Sequence, residues 1–249
     1  MNKKITIVTT FSDKGYEVYA KHCIASLQKF IVGNDIDVIV YTDTPYKFEN
    51  NNWTNKILLK EVPELGLFKI RNEYKKVPDG TKGFIWDGVR FSHKSYAWCH
   101  TGLNTDSDIV IWLDADTEVI ENIDSNYLTK FMPDGYVSSY LGRPGRYTET
   151  GWLAWNMQHP DSKRFFTRFK QYYDEDLIYD LKGFTDCHVY DAVRQEFEAE
   201  GIQSYNITKD MPKDVFNQAF KGYMTHYKGP DKTNREKYYS KAIRRKMKG

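Results

Sequence analysis

The clearest chemical signal in the chain is a pair of acids, Asp114 and Asp116, in Asp114-Ala-Asp116. They follow an apolar run, Ile109 to Leu113, whose β-branched and aromatic content predicts a strand buried on both faces. On an extended backbone, residues two apart point the same way, so both carboxylates converge just past the strand's carboxyl end. In an open α/β sheet, ligands bind at that end. Two hard carboxylates there suit Mg²⁺ or Mn²⁺ held together with substrate phosphates. An Asp-x-Asp is often only a turn that hydrogen-bonds locally. The abrupt junction with a buried strand favours the ligand reading here. An EF-hand loop beginning at Asp114 is excluded, because Val119 stands where such a loop needs glycine.

Other charged residues could serve the same centre. Arg90 and Lys94 are four residues apart on a helical stretch and share one face. They read either as a solvated basic pair or as contacts to donor phosphates beside the aspartates. Other carboxylates that could act as a general base on a hydroxyl are Glu149, Asp186 and Asp191. Asp186 has a structural alternative as a helix cap, and Asp191 as a solvated acid.

The elements that must position these residues are partly visible. Ile5 to Phe11 predicts a first strand, broken by Ser12-Asp-Lys-Gly15. Glu17 to Phe30 has helical spacing, and Asp37 to Asp43 predicts a second strand. Strand, helix and strand in that order form the parallel unit of a doubly wound sheet. A short strand is expected over Ile57 to Glu61, and a helix over Lys69 to Lys76 before Pro78. Val89 to Leu103 predicts the helix that carries Arg90 and Lys94 into the central strand. Beyond the aspartates come a short helix over Asp124 to Phe131, a strand over Tyr136 to Tyr140, and a loop with two arginines over Gly142 to Arg146. Glu149 to Asn156 predicts a strand in which Gly151 allows a close approach to the backbone. Asp161 is placed to cap a helix through Tyr173, a further helix covers Val189 to Glu200, and Ser204 to Thr208 is a late strand. By the rule for such sheets, a donor base sits at the ends of the first two strands, where Thr9, Thr10, Tyr16 and Asp43 are available.

Composition sets the bounds. The 249 residues, 40% hydrophobic and 28% charged, describe a soluble globular chain of one large or two small domains. A net charge of +2 excludes a strongly basic protein, although the stretch after Lys232 is a basic tail: Arg235, Lys237, Lys241, Arg244, Arg245, Lys246 and Lys248. The 3 cysteines are odd in number and form no CxxC, which argues against a disulfide framework or a zinc site. No signal peptide and no stretch of membrane-spanning length is apparent, so a cytoplasmic location is expected. There is no P-loop and no Gly-x-Gly-x-x-Gly, so a nucleotide, if bound, is bound some other way.

The parallel α/β opening, the strand ending Leu113-Asp-Ala-Asp116 and the late His226-x-x-Gly229-x-x-Lys232 together resemble a GT-A glycosyltransferase. More narrowly, they are similar to the glycogenin-like, family-8 enzymes. The family's motifs are altered at three places: Thr233 follows Lys232 in place of proline, Glu149-Thr-Gly151 replaces Asn-x-Gly, and Asp186-Cys187 replaces Asp-Gln. The resemblance implies a mostly parallel sheet flanked by helices and transfer of a hexose from a nucleotide-diphosphate sugar, a UDP-sugar, to an acceptor hydroxyl. It implies Asp114, Asp116 and His226 as ligands of Mn²⁺ (or Mg²⁺), Lys232 as a diphosphate contact, and Gly229 where the backbone passes close to the phosphates. It also implies a retaining reaction with Asp186 beside the oxocarbenium-like centre, and Tyr16 is available to stack on uracil. Residues 1–232 are expected to form one catalytic domain, with a nucleotide-sugar half at 1–118 and an acceptor half at 119–232, followed by the tail at 233–249.

The acceptor is open: a glycan, a protein or a nucleic acid. Two other readings stand beside this one. A nucleotidyltransferase acting on a sugar phosphate also uses a metal and a carboxylate pair, but resembles this chain less, since Phe11 to Gly15 lacks a glycine cluster. A nucleic-acid-binding protein would use the basic tail on phosphate backbones.

Overall fold

The computed structural model describes residues 3–48, 52–77, 83–209, 211 and 213–232. The basic tail and Pro78 lie outside the described residues. One seven-stranded sheet runs through the molecule. Its strands are β1 (Ile5–Phe11), β2 (Ile36–Thr42), β3 (Trp53–Ile57), β4 (Ile109–Leu113), β6 (Ser138–Arg143), β7 (Arg146–Asn156) and β8 (Ser204–Asn206), in the order β3-β2-β1-β4-β7-β6-β8. Strands β1 to β4 are parallel, β7 is antiparallel to both β4 and β6, and β8 is parallel to β6. A second sheet of two strands pairs β5 (Thr117–Val119) with β9 (Met224–His226). The main helices are α1 (Lys21–Phe30), α2 (Pro63–Arg71), α3 (Gly88–Asn104), α4 (Ser162–Asp174) and α5 (Asp186–Ala199). None of the described helices is long and apolar enough to cross a membrane.

Strand β4 is the centre of the sheet, and all five of its residues are buried. Its side chains alternate between two hydrophobic cores, one on each face. Val110 and Trp112 join Trp98, Trp155, Phe166 and Phe169 on one side. Ile109, Ile111 and Leu113 join Ile7, Leu27, Val38, Trp152 and Phe216 on the other. This is the double burial expected of a β-branched run in a parallel sheet. Trp98 of α3 packs edge-on to Trp112 with ring centroids 5.3 Å apart, and to Phe169 of α4 at 5.1 Å. The helix carrying Arg90 and Lys94 is thereby fixed against the central strand.

Several elements differ from the sequence expectation. The strand expected over 57–61 ends at Ile57, and Leu58–Glu61 is a helical turn. Straight-chain Leu, Lys and Glu favour helix, while Trp53 and Thr54 supply the bulky residues that β3 uses beside β2. The helix expected at 69–76 begins earlier, with Pro63 at its first position, and gives way after Arg71 to a 3₁₀ turn, Glu73–Lys75. The loop expected over 142–146 is a tight hairpin: β6 runs to Arg143 and β7 starts at Arg146, with Gly145 at φ 65°. Asp161 makes no capping bond; its carboxylate accepts from Arg164 Nε at 2.9 Å instead. Strand β1 does end at Phe11, where Ser12 caps the helical turn that follows, accepting from the Gly15 amide at 3.1 Å. The chain then runs through a π-helical turn, Tyr16–Ala20, into α1.

Helices α3 and α4 cross where Gly102 meets Phe166. A Cβ at Gly102 would stand 2.2 Å from Phe166 Cε2, in a ring that is fully buried. Alanine is about 1 kcal/mol better than glycine in a helix interior. Overpacking of a close contact costs about 1–3 kcal/mol. Gly102→Ala is therefore expected to lower stability despite its propensity, read as a reduced urea midpoint at unchanged slope.

The far end of α4 is tied to α2 by charge. Arg71 Nε donates to Asp176 at 2.8 Å, and Asn72 Nδ2 donates to the same carboxylate at 2.8 Å. Partial burial opposes ionisation of Asp176, but Arg71 and Asn72 outweigh it and hold the carboxyl below its ordinary value. Both side chains of the pair are partly exposed, so screening limits its worth to roughly 1 kcal/mol. The folded-state value is depressed, so this stabilisation is complete above the unfolded aspartate value of about 3.9 and is lost as pH falls through the folded one. Asp176→Asn, which also tolerates the φ of 59°, should unfold more easily at neutral pH, and its difference from wild type should shrink on acidification.

Candidate metal and donor site

The site forms where β4 ends. Thr117 N donates to Asp114 O at 3.0 Å, so residues 114–117 make a turn before β5 begins. Asp114 and Asp116 meet because the chain turns, not because an extended strand alternates. Strand β9 then brings His226 opposite Thr117, and Tyr227 N donates to Asp116 O at 3.0 Å. Asp114, Asp116 and His226 each present one ligand atom, and these atoms lie within 4.8 Å of one another.

A divalent cation fits this donor set. Asp116 Oδ1 is buried and has no hydrogen bond among the described residues, although His226 Nε2 is 2.9 Å away. Two ligands of one octahedral ion, each ~2.1 Å from it, stand about 3 Å apart in the same way. His226 Nδ1 is also buried without a hydrogen bond, with Glu149 Oε1 3.8 Å from it. Close packing of the imidazole depends on Gly151, where a Cβ would lie 2.6 Å from His226 Cε1.

Each carboxylate in the site has a cation. Lys94 Nζ lies 2.9 Å from Asp114 Oδ1 and 2.8 Å from Asp186 Oδ2, over the rings of Trp98 and Trp112. Burial disfavours the Lys94 ammonium, but the two carboxylates outweigh this and hold it protonated above the ordinary lysine range. Burial raises the Asp114 carboxyl, with Lys94 opposing and Asp116 adding to the rise. Trp112 Nε1 also donates to Asp114 at 2.8 Å. Lys232 Nζ lies 2.5 Å from Asp116 Oδ2. Burial opposes ionisation of Asp116 too, yet His226 and Lys232 hold its carboxyl well below the usual range. Glu149 is paired with Lys228 and lies 3.4 Å from Arg143. Against the cost of burial, His226, Lys228 and Arg143 keep its carboxyl below the ordinary glutamate value.

The remaining residues singled out from sequence are spread around this centre. Gly229 takes φ 53° between His226 and Lys232. Asp191 is turned to the backbone, accepting from Thr148 N at 3.0 Å and Thr148 Oγ1 at 2.6 Å. Arg90 is exposed one turn before Lys94 and forms no ion pair with either aspartate among the described residues. At the ends of β1 and β2, Thr9 is fully buried, Thr10 Oγ1 donates to Tyr41 O at 2.9 Å, and Asp43 is exposed. Tyr16 packs against Tyr46, with ring centroids 4.8 Å apart, and against Phe11.

Sequence reading missed four neighbours of the site. Trp112 precedes Asp114 by two residues, and Lys228 lies inside the His226-to-Lys232 motif, so both carried a positional signal. Arg143 is brought in by the hairpin, which periodicity does not reveal. Tyr19 lies in the π-helical turn, with Lys232 Nζ 4.9 Å from its ring centroid. Burial, with the charges of Asp116 and Asp114, pushes its hydroxyl up to about 12.

No protein-family model matches the sequence, and no curated protein matches it. Among solved structures, the chain is similar to the apo structure of WbbM, described as a bifunctional glycosyltransferase, with a TM-score of 0.55 and 13% sequence identity. The likeness covers 92% of this chain and 46% of WbbM, so the chain spans less than half the length of that protein. The sheet, the Asp114-Ala-Asp116 turn at the end of β4 and this likeness give the chain a GT-A fold.

Gly151→Ala isolates the imidazole's placement. The added methyl must displace His226, so Mn²⁺ affinity, measured by the electron paramagnetic resonance of free Mn²⁺, should fall about tenfold or more. The methyl also overpacks a buried side chain and should lower the thermal midpoint, so affinity is measured well below the midpoints of both proteins.

Proposed function

We propose that the chain is a metal-dependent glycosyltransferase, related to the glycogenin-like family 8, that moves a hexose from a UDP-sugar to an acceptor hydroxyl with retention. The observation that carries this reading is the convergence of Asp114, Asp116 and His226, with Lys232 beside them, at the carboxyl end of the central strand. The set of two carboxylates and one imidazole favours Mn²⁺, with Mg²⁺ the alternative. A cation held there supplies Lewis-acid neutralisation of the charge that grows on the departing diphosphate.

The chain's own residues do the rest. Lys232, whose ammonium lies beside Asp116, is placed to reach a diphosphate held at the same centre, where it would add to leaving-group stabilisation. Lys94 acts indirectly, holding Asp114 and Asp186 in position, while Arg90 remains exposed for the donor phosphates. Asp186 is the carboxylate assigned to steady the oxocarbenium-like charge. Glu149, held ionised by Lys228 and Arg143, is a poor proton acceptor, and Asp191 is committed to Thr148, which weighs against inversion through either. Tyr16, Thr10 and Asp43 line the donor-base end, with Thr9 behind them and Gly229 beside the phosphates. Residues 1–232 act as one catalytic domain on this reading, 1–118 for the donor and 119–232 for the acceptor. The three free cysteines suit a reducing, cytoplasmic setting. A nucleotidyltransferase gains no support, since the chain enters a helical turn straight after β1 without a glycine-rich loop.

Calorimetric titration of UDP into wild type and Asp116→Ala, each with Mn²⁺ and with EDTA, tests the reading. Binding to wild type with Mn²⁺ should weaken at least about tenfold in EDTA and in the variant. UDP affinity indifferent to both would overturn the metal role of the Asp-x-Asp.

A further inference from the structure

A second feature lies beside this centre. A cavity of about 620 Å³ opens between the β6–β7 hairpin and α5, a size that suits a small ligand. Its wall is unbalanced in charge: Arg143, Arg146, Arg194 and Lys209 face one carboxylate, Asp191. That carboxylate is already engaged by the amide and hydroxyl of Thr148, and lies 3.5 Å from Arg194 Nη2. Arg146 and Lys209 are exposed and form no ion pair among the described residues. Arg194 is held in place by Glu198 at 2.6 Å and by the ring of Tyr140, 4.8 Å from its guanidinium carbon, and its buried Nε has no hydrogen-bond partner among the described residues. The β6–β7 hairpin, α5 and the segment after β8 thus bring four cations to one concave surface, where Arg146 and Lys209 form no ion pair among the described residues. Cationic side chains in such a place match a phosphate.

The cavity also shares a wall with the metal and donor site. Arg143 lines it, and its Nη1 lies 3.4 Å from Glu149 Oε2, while Glu149 Oε1 lies 3.8 Å from His226 Nδ1. Tyr147, at the cavity's edge, is 36% exposed and offers a ring face on which a sugar can stack.

We infer that this cavity is the acceptor subsite and that it takes an acceptor carrying a phosphate group. The inference rests on the glycosyltransferase reading for the word acceptor; the anion site itself does not. The phosphate engages Arg146, Lys209 and Arg194, and the acceptor's hydroxyl end extends past Arg143 towards Glu149 and His226. The phosphate can be borne by a soluble saccharide or by a lipid headgroup, and the same chemistry recognises both.

The test uses the full chain without metal or nucleotide. Glucose 6-phosphate and glucose are titrated calorimetrically into wild type, the Arg146→Ala/Lys209→Ala double variant and Arg146→Lys. In parallel, co-sedimentation is measured with phosphatidylcholine vesicles that contain or lack phosphatidic acid. Both altered residues are exposed, so thermal midpoints should be equal. The expected result is saturable binding of a phosphate-bearing probe, at least about tenfold weaker in the double variant and retained in Arg146→Lys. Binding of the sugar phosphate assigns a soluble acceptor; binding confined to phosphatidic acid vesicles assigns a lipid-borne one. Equal binding of glucose and glucose 6-phosphate, an unaffected double variant, or no binding of either phosphate probe overturns the inference. Asp116→Ala should leave this binding intact while losing Mn²⁺-dependent UDP binding, so failure of the subsite and failure of the donor reading give different results.

Discussion

The buried ammonium of Lys94 is the interaction on which the rest of the site depends. It enters from α3, meets Asp114 past the end of β4 and Asp186 at the start of α5, and approaches the Thr150 carbonyl of β7 at 3.3 Å. Four elements distant in sequence are therefore joined at one charge. Removing one member of a buried pair leaves an uncompensated charge, at a cost of about 3–5 kcal/mol. The aromatic packing of Trp98 and Trp112 beneath Lys94 excludes water and makes the geometry of the pair exacting. The same packing fixes the direction in which Asp114 presents its second oxygen.

Around that anchor, charge is arranged in pairs. Lys94 serves Asp114 and Asp186, Lys232 serves Asp116, and Lys228 and Arg143 serve Glu149. Lys94 is deep and committed, whereas Lys232 and Lys228 stand at the solvent side. The inner pairs give rigidity and the outer ones can exchange partners. Such preorganised charge lowers the reorganisation required when a ligand's charge changes.

The central strand and the carboxylates at its end were legible in the sequence because β4 is buried on both faces, and such burial leaves an uninterrupted apolar run. The helix bearing Lys94 was legible for a similar reason, although Lys94 itself was expected at the donor phosphates and is engaged with carboxylates. The aspartates' convergence was anticipated, but through strand alternation, whereas a turn produces it. Strands β5 and β9 have three residues each, too few for any periodicity, so the ribbon that positions His226 left no local trace. His226 was found only through the spacing to Gly229 and Lys232. The hairpin at Pro144-Gly145 was read as a loop because its β6 flank carries a register irregularity that obscures the alternation. Tertiary pairs such as Lys94 with Asp186 and Lys228 with Glu149 join distant positions, and no local pattern encodes them.

The ribbon of β5 and β9 also imposes an order in time. Tyr227 OH donates to Glu118 at 2.7 Å across 109 residues of sequence, and the same pairing seats His226 beside Asp116. A ribosome therefore makes the acidic arm of the centre long before the imidazole arm. During that interval the growing chain has the sheet's first four strands but only an incomplete set of donor atoms. Long-range closure of this kind is slow relative to local folding. The cluster of Asp114, Asp116 and His226 is thus completed late in the folding of the described chain, and a nascent chain holds the two carboxylates without the imidazole.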